Sequence, residues 1–436
     1  MAGWARCMKS FGVFVPITAL GATADPPSRD ESVMDWNGPK WASSWHNFAP
    51  EVTSRLSFPE RIEICDWTLE GDGEEMPGIV ITKPERVAIA RLLDGVGVHR
   101  MSAGWITTSF PDEIDQIREV AHLGLKAKVE ACTGVDKADL DLAIGTGVSG
   151  VFMELPSSDT WIENRQQTRA KVIDLAIECS TYAKEHGLSV TFGLQDSTRA
   201  DQDFLKQFIK SLETQGKVDA ICLADSCGVA GPEGFKHLVK MATESAKVPI
   251  ALHCHNDFGL ATANALAGLS AGASIVTTTV NGIGERCGLT PLEEVAMALR
   301  ILYGIDIGIK FEKLCELSRV VEKATGPVLS PLKPVVGERA FAWETDGFIR
   351  DASNLEAARK LKAGLPYEPD LVGNRFRLYP GTRMGTYGVK WEAERLGFKL
   401  TDRQAEDLLA KIRDLSRRKQ QPSEHEFLSM LRAIRR

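Results

Sequence analysis

Between residues 61 and 302, short apolar and β-branched runs alternate eight times with longer amphipathic stretches, and this alternation constrains the fold more than any other feature of the chain. The strand-like runs are 61–67, 99–103, 126–131, 150–155, 188–194, 220–224, 250–255 and 274–280. Helical patterns at 111–123, 136–146, 169–186, 201–215, 231–245, 260–271 and 290–302, and one that opens near 82–85, lie between and after them. Apolar residues recurring every three to four positions mark the helices, and compact runs mark strands buried on both faces. Thr82-Lys83-Pro84-Glu85 reads as a capping box with proline in the first turn. Eight strand–helix units in about 240 residues match a (β/α)8 TIM barrel. A doubly wound sheet is the alternative, but it seldom repeats so evenly. The expected class is therefore α/β, a TIM barrel followed by a small, mainly helical C-terminal subdomain. The expected organisation is an extension at 1–58, the barrel at 59–302, a connecting region at 303–365, and a subdomain at 366–436 ending in helices at 403–419 and 423–435.

A chain of 436 residues, 43% of them hydrophobic, can bury a large core without disulfides. Its net charge of −7 and lack of a long basic run argue against nucleic acid as a partner. No apolar run approaches the ~18 residues of a membrane span, so no membrane partner is expected. The nine cysteines are widely spaced and form no C-x-x-C pair. That pattern suits reduced thiols in the cytoplasm better than a disulfide framework or a zinc knuckle. Arg6 and Lys9 precede an apolar stretch at 11–20 and then Ala22-Thr23-Ala24, a pattern similar to a secretory leader. An ordinary extension, or a start placed too early, suits the metabolic character of the rest better.

In a barrel of this kind, chemistry sits at the C-terminal ends of the strands. His253-Cys254-His255-Asn256-Asp257 ends the seventh strand. Residues two apart on a strand share a face, so both imidazoles can point into the mouth and share one metal, while Cys254 points away. Two polar histidines without metal are the plainer alternative. After the first strand, Asp66, Glu70, Asp72, Glu74 and Glu75 crowd one loop. Carboxylates so close repel one another unless a cation lies among them. A divalent metal would complete a His₂–carboxylate set with open positions for substrate. An acidic solvated loop is the reading if that loop is taken alone. Asp225-Ser226-Cys227-Gly228 ends the sixth strand. There Ser226 could bond a substrate carboxylate and Asp225 could bind substrate or cap the strand. Asn281 to Gly288 follow the eighth strand, with glycines that let backbone wrap a ligand and with Glu285 and Arg286 as acid and cation. Cys287 has no partner base and is expected to pack.

Together these loops resemble the DRE-TIM metallolyase superfamily, above all its Claisen-condensing synthases for homocitrate, isopropylmalate and citramalate. Residues 250–264 read I-A-L-H-C-H-N-D-F-G-L-A-T-A-N, and 281–288 read N-G-I-G-E-R-C-G. The resemblance runs over about residues 60–435. It implies an enzyme holding one divalent metal (Mg, Mn or Zn) and using acyl-CoA as co-substrate with a small carboxylate, a 2-oxo acid. It also implies a homodimer. By that resemblance Asp72 joins His253 and His255 as metal ligand, with Asp66 and Glu70 in reserve. Ser226, Arg199, Asp225 and Arg286 would bind substrate, and Glu285 and Glu74 would transfer protons. A carbon–carbon lyase of the 3-hydroxy-3-methylglutaryl-CoA type, a non-CoA decarboxylase or hydrolase, and a non-catalytic pseudoenzyme are the other readings.

The chain also departs from the family pattern. The Arg expected before the metal-binding Asp is absent, with Glu70 or Gly71 in its place. Ser102 stands for a glutamate, Thr191 and Gly193 for an Arg and a Ser, Gln195 for a Glu, and Trp343 for a catalytic His. Losing an oxyanion donor costs on the order of 10²–10³ in rate. Arg100, near a strand end, is a candidate replacement, with a surface role as the alternative.

Overall fold

The computed structural model describes residues 40–73, 75–326, 329–357, 364–420 and 422–434; the side chains of residues 72, 352–353, 355–357 and 424 lie outside that description. The leader-like segment and Cys7 fall outside it as well.

Eight parallel strands close into a barrel in sequence order. They are β1 (Glu63–Asp66), β2 (Arg100–Ile106), β3 (Lys128–Thr133), β4 (Gly150–Pro156), β5 (Ser189–Gln195), β6 (Ala220–Asp225), β7 (Ile250–Cys254) and β8 (Ile275–Thr278). Strand β8 pairs back onto β1 from Glu63↔Ile275 to Asp66↔Thr278, which removes both sheet edges. A short helix α1 (Pro50–Thr53) precedes the barrel. Around it lie α2 (Lys83–Val96), α3 (Pro111–Ala121), α4 (Lys137–Thr146), α5 (Asp159–Asn164), α6 (Arg169–Glu185), α7 (Gln202–Ser211), α8 (Pro232–Ser245), α9 (Ala261–Leu269) and α10 (Leu292–Tyr303). The capping box forms at α2, with Thr82 N–H donating to Glu85 at 2.9 Å. Asp136, Thr168 and Asp201 cap α4, α6 and α7 through their side chains. The pattern read as one helix at 201–215 is α7 followed by a π-turn at Leu212–Gly216.

Alternation along each strand sorts the core into two parts. Outward residues such as Ile64, Met101, Val151, Phe192, Leu223 and Leu252 meet the helices in one large core. Inward residues Cys65, Trp67, Cys132, Phe152, Cys222, Ala251 and Ile275 fill the barrel itself. Trp67 and Phe152 cross edge to face with centroids 4.5 Å apart. At the start of β2, Arg100 is buried inside the barrel. It donates to Glu130 at 2.9 and 2.5 Å and to Thr191 Oγ1 at 2.9 Å. This corrects the expectation for Arg100. It opens its strand at the end of the barrel opposite the catalytic mouth, so it neither replaces the missing Arg nor lies on the surface.

Beyond the barrel come α11 (Leu314–Thr325), β9 (Ala342–Trp343), α12 (Asp346–Ala357), β10 (Arg377–Leu378), α13 (Thr386–Arg395), α14 (Asp402–Arg417) and α15 (Glu424–Ile434). Strands β9 and β10 pair in parallel. A second core of Ile349, Leu378, Met384, Val389, Leu408, Ile412, Phe427 and Leu431 holds this helical region together. The two cores do not part at residue 366, because Leu365, Tyr367 and Val372 pack on the barrel while Ile349 joins the second core. Trp343 sits in an aromatic row with Phe348, Phe376 and Trp391. The position read as a lost catalytic His is thus a packing position here.

Removing one partner of a buried ion pair strands the other charge. Arg100→Met should therefore destabilise the fold by roughly 3–5 kcal/mol. Arg100→Met with Glu130→Leu should recover most of that loss. Urea unfolding of the single and double variants checks this, and a double variant no better than the single one would contradict it.

Candidate active site

Strand parity places Ala251, His253 and His255 on the inner face of β7, and Leu252 and Cys254 on the outer one. His253 and His255 are each 6% exposed, and their Nε2 atoms face each other at 3.1 Å. His253 Nδ1 lies 2.9 Å from Thr277 Oγ1 on β8. That contact suits the tautomer with hydrogen on Nδ1, which frees the Nε2 lone pair. His255 is held from the other side by a bridge to Leu289. Its Nδ1 is buried without a hydrogen-bond partner. The Trp67 ring packs 5.0 Å from that of His253.

Burial holds both imidazoles neutral. The pKa of His253 falls well below 6.5 through burial, then the neighbouring His255 and Arg286. That of His255 falls to about 3 through burial and then Arg286. Neutral imidazoles are what a metal requires. Two nitrogens bound at ~2.0–2.1 Å to one ion, at a right to tetrahedral angle, lie about 2.8–3.4 Å apart, and the observed separation falls in that range. The pair therefore fits a divalent ion. Among the described residues there is no group of three or more His, Cys, Asp or Glu side chains that could hold a metal. The third ligand expected from sequence, Asp72, ends a 3₁₀ turn at Glu70–Asp72, and its side chain is outside the description, as is all of Glu74.

Of the two reserve ligands, Asp66 is bonded elsewhere. Asp66 is fully buried on the outer face of β1, accepting from Thr68 N at 3.0 Å and Thr278 Oγ1 at 3.1 Å. Burial raises its pKa to about 7, against the pull of these bonds. Glu70 opens the 3₁₀ turn at Glu70–Asp72 and is 1% exposed.

Asp225 was expected to bind substrate or to cap the strand, and its contacts are those of the cap. Its buried carboxylate accepts from Thr198 Oγ1 at 2.9 Å and from the N–H groups of Val229 and Ala230 at 3.1 Å each. Asn264 Nδ2 adds a longer contact at 3.4 Å. It pins the loops after β5 and β6, because it sits on the outer face of β6 where alternation turns it from the mouth. Ser226 lies at the mouth, its Oγ accepting from Asp196 N at 2.9 Å. Arg199 donates to Asp196 at 2.7 Å and to Cys227 Sγ at 3.1 Å. Arg286 ties three loops, donating to Asp257 at 2.9 and 3.2 Å, to Ser226 O at 2.7 Å and to Glu285 at 3.0 Å. Glu285, with its side chain 40% exposed, stands beside it. Gly288 makes this turn feasible, since a Cβ there would fall 1.9 Å from Gly282 O at a φ of +84°.

One inward carboxylate escaped the sequence reading. Glu154 lies on β4 two residues past Phe152, on the barrel's inner face, across from Gly193. A Cβ on Gly193 would come within 2.4 Å of Phe152 and 2.9 Å of Glu154. Burial raises the Glu154 pKa to about 7; Arg165 opposes the rise, and Glu75 and Glu285 add to it. A single acidic residue inside an apolar strand run was the available signal, and it is visible at 151–155.

Comparison with known proteins shows the family. Residues 61–321 match the model of the HMGL-like family. The homocitrate synthase AksA of Methanothermobacter thermautotrophicus is 39% identical over 353 residues, covering 80% of this chain and 87% of that protein. The (R)-citramalate synthase CimA of Methanocaldococcus jannaschii is 35% identical over 378 residues, covering 86% and 74%. Among solved structures, the HMG-CoA lyase of Bacillus subtilis superposes with a TM-score of 0.57 at 17% identity, over 63% of this chain and 97% of that one. At that identity the likeness bears on the fold alone.

Asp66 offers a test of the burial at this end of the barrel. Its folded pKa of about 7 lies above the model-compound 3.8. Between those values the folded chain holds a proton that the unfolded chain has lost, so stability falls as pH rises through the window. Asp66→Asn removes that loss. Relative to the wild type, the variant should gain on the order of a few kcal/mol between pH 4 and pH 8. Denaturant midpoints across that range read the difference, and a constant offset would count against the raised pKa.

Proposed function

The chain belongs to the HMGL-like family, and on that premise we propose that it is an acyltransferase that condenses an acyl-CoA with a small 2-oxo acid. The observation that carries the reading is the convergence of His253 and His255 in a mouth braced by the 281–288 loop. Supporting it, the homocitrate and citramalate synthases resemble the chain over most of its length.

His253 and His255, with Asp72 from the first loop, would hold a divalent ion (Mg, Mn or Zn). When bound, such an ion polarises the keto carbonyl of the 2-oxo acid. Ser226 keeps its O–H free to donate to the substrate carboxylate, since its oxygen already accepts from Asp196. Arg199 adds positive charge beside it. Arg286 acts as the brace that keeps the three loops in register. Trp67 and Phe152 make the floor apolar and keep water from the reacting carbons.

Proton transfer falls to Glu154. Its carboxylate takes a proton from the carbon next to the thioester carbonyl; that carbon then adds to the keto carbon, the keto oxygen takes up a proton, and water cleaves the thioester to release CoA thiol and leave a carboxylate. A group titrating near neutrality suits the step. Glu285, more exposed and paired with Arg286, is the weaker base. The chain works as a homodimer in the cytoplasm in this reading; the eight described cysteines are free thiols, as a reducing compartment requires.

Protein purified without added metal should carry about one divalent ion per chain. His253→Ala should lose most of it. With acetyl-CoA and a panel of 2-oxo acids, the wild type should release free CoA thiol. Glu154→Gln should lower kcat roughly 10²–10⁴-fold while metal content stays unchanged. As a base Glu154 must be ionised, so wild-type kcat should rise with pH up to about 7, the value to which its pKa is pushed with Arg165, Glu75 and Glu285 around it. Glu154→Gln should lack that rise. No thiol release with any 2-oxo acid would sink the condensing reading, and full activity in Glu154→Gln would sink only the choice of base.

A further inference from the structure

Away from the mouth, a cavity of about 640 Å³ opens between α11 and the segments around β9 and β10. Three guanidinium groups line it: Arg319 from α11, and Arg375 and Arg377 from β10 and its approach. A smaller recess shares Arg375 and Arg377 and runs on past Tyr379 and Pro380 to Arg395.

Arg319 and Arg377 are poorly neutralised by the described residues. Glu322 accepts from Leu329 N at 2.8 Å, and Glu338 accepts from Tyr379 OH at 2.8 Å. Arg377 Nη1 donates only to uncharged oxygens, Asn374 Oδ1 at 2.7 Å and the carbonyls of Arg375 and Glu338 at 3.2 Å each. Neither Arg319 nor Arg377 makes an ion pair among the described residues. Burial lowers the pKa of Arg377, and the neighbouring Arg375 and Arg319 lower it further against the pull of Glu338. Like charges held together out of water are costly, and a bound anion removes that cost. Guanidinium forks match phosphoryl oxygens in pairs. The volume is that of a small-molecule site. Tyr379, one face of its ring covered by Arg339 at 4.4 Å, and Pro380 line the recess beside the charged end.

We propose that this cavity is a second binding site, which takes the phosphoryl groups of a nucleotide-sized ligand. The ligand chemistry has two sources, the phosphorylated nucleotide end of the acyl-CoA or a separate free nucleotide. The site does not depend on the condensing reaction, because its occupancy can be measured without turnover.

The probe is adenosine 3′,5′-bisphosphate, titrated calorimetrically into the full chain, with adenosine as the uncharged control. The bisphosphate should bind and adenosine should not. Arg319→Ala and Arg377→Gln should each weaken binding by roughly 10- to 100-fold, the loss expected for a charge-assisted contact. Arg319 is exposed on α11, so its variant should fold normally, and the melting midpoint of each variant checks this. If the KM for acetyl-CoA rises in Arg319→Ala by the factor lost in bisphosphate affinity, the cavity holds the nucleotide end of acyl-CoA. If KM is unchanged while bisphosphate affinity falls, the ligand is a separate nucleotide. No bisphosphate binding, or binding equal in wild type and the folded Arg319→Ala variant, overturns the proposal.

Discussion

Closure of the eight-stranded barrel, with its strict alternation of inward and outward side chains, is the constraint on which the active site depends. Once β8 pairs with β1, each strand has one face in the helix layer and one in a narrow interior with little room for water. On β7 this sends Leu252 and Cys254 into the helix layer and Ala251, His253 and His255 into the barrel. A one-residue slip would reverse every one of these placements. The same closure lays Thr277 of β8 against His253 and lets Trp67 of β1 pack on its ring. Two imidazoles in so dry a place stay neutral, which is the state a metal ligand needs.

The interior is divided along its axis. One end is sealed by the buried Arg100–Glu130–Thr191 network, and the middle is filled by Trp67, Phe152 and small sulfur-bearing or aliphatic residues. The other end carries the polar groups that can do chemistry. Loops at that end are fastened by charged side chains. Asp225 gathers donors from two loops, Asp196 accepts from Arg199, and Arg286 reaches Asp257, Ser226 and Glu285. Such bracing keeps a site near its working geometry without reorganisation during each turnover.

Several positions where the chain departs from the condensing synthases are compensated by neighbours. Thr191 stands where an Arg is expected, and Arg100 from β2 bonds to it and occupies the interior there. Gly193 replaces a Ser, and its missing side chain is the space into which Phe152 and Glu154 project. Trp343 replaces a His and becomes part of an aromatic row. A carboxylate near neutral pKa thus enters the mouth as other polar groups leave it, which keeps acid–base chemistry available there.

The sequence by itself determined the barrel and the place of the histidine pair. Both follow from local periods: two along a strand, three to four along a helix, and eight repeats of the unit. The capping box at Thr82 and Glu85 was legible for the same reason, since all its atoms lie within one turn. What only the tertiary structure decided depends on which strands stand side by side. Arg100 read as a candidate for the mouth until its partners on β3 and β5 placed it at the other end. Asp225 read as either a substrate contact or a strand-end cap until the loops after β5 and β6 claimed its oxygens. Glu154 had no visible role, because its raised pKa comes from burial and, against the pull of Arg165, from Glu75 and Glu285, residues distant in sequence. Desolvation and charge are summed over neighbours in space, and a linear chain does not say who those neighbours are.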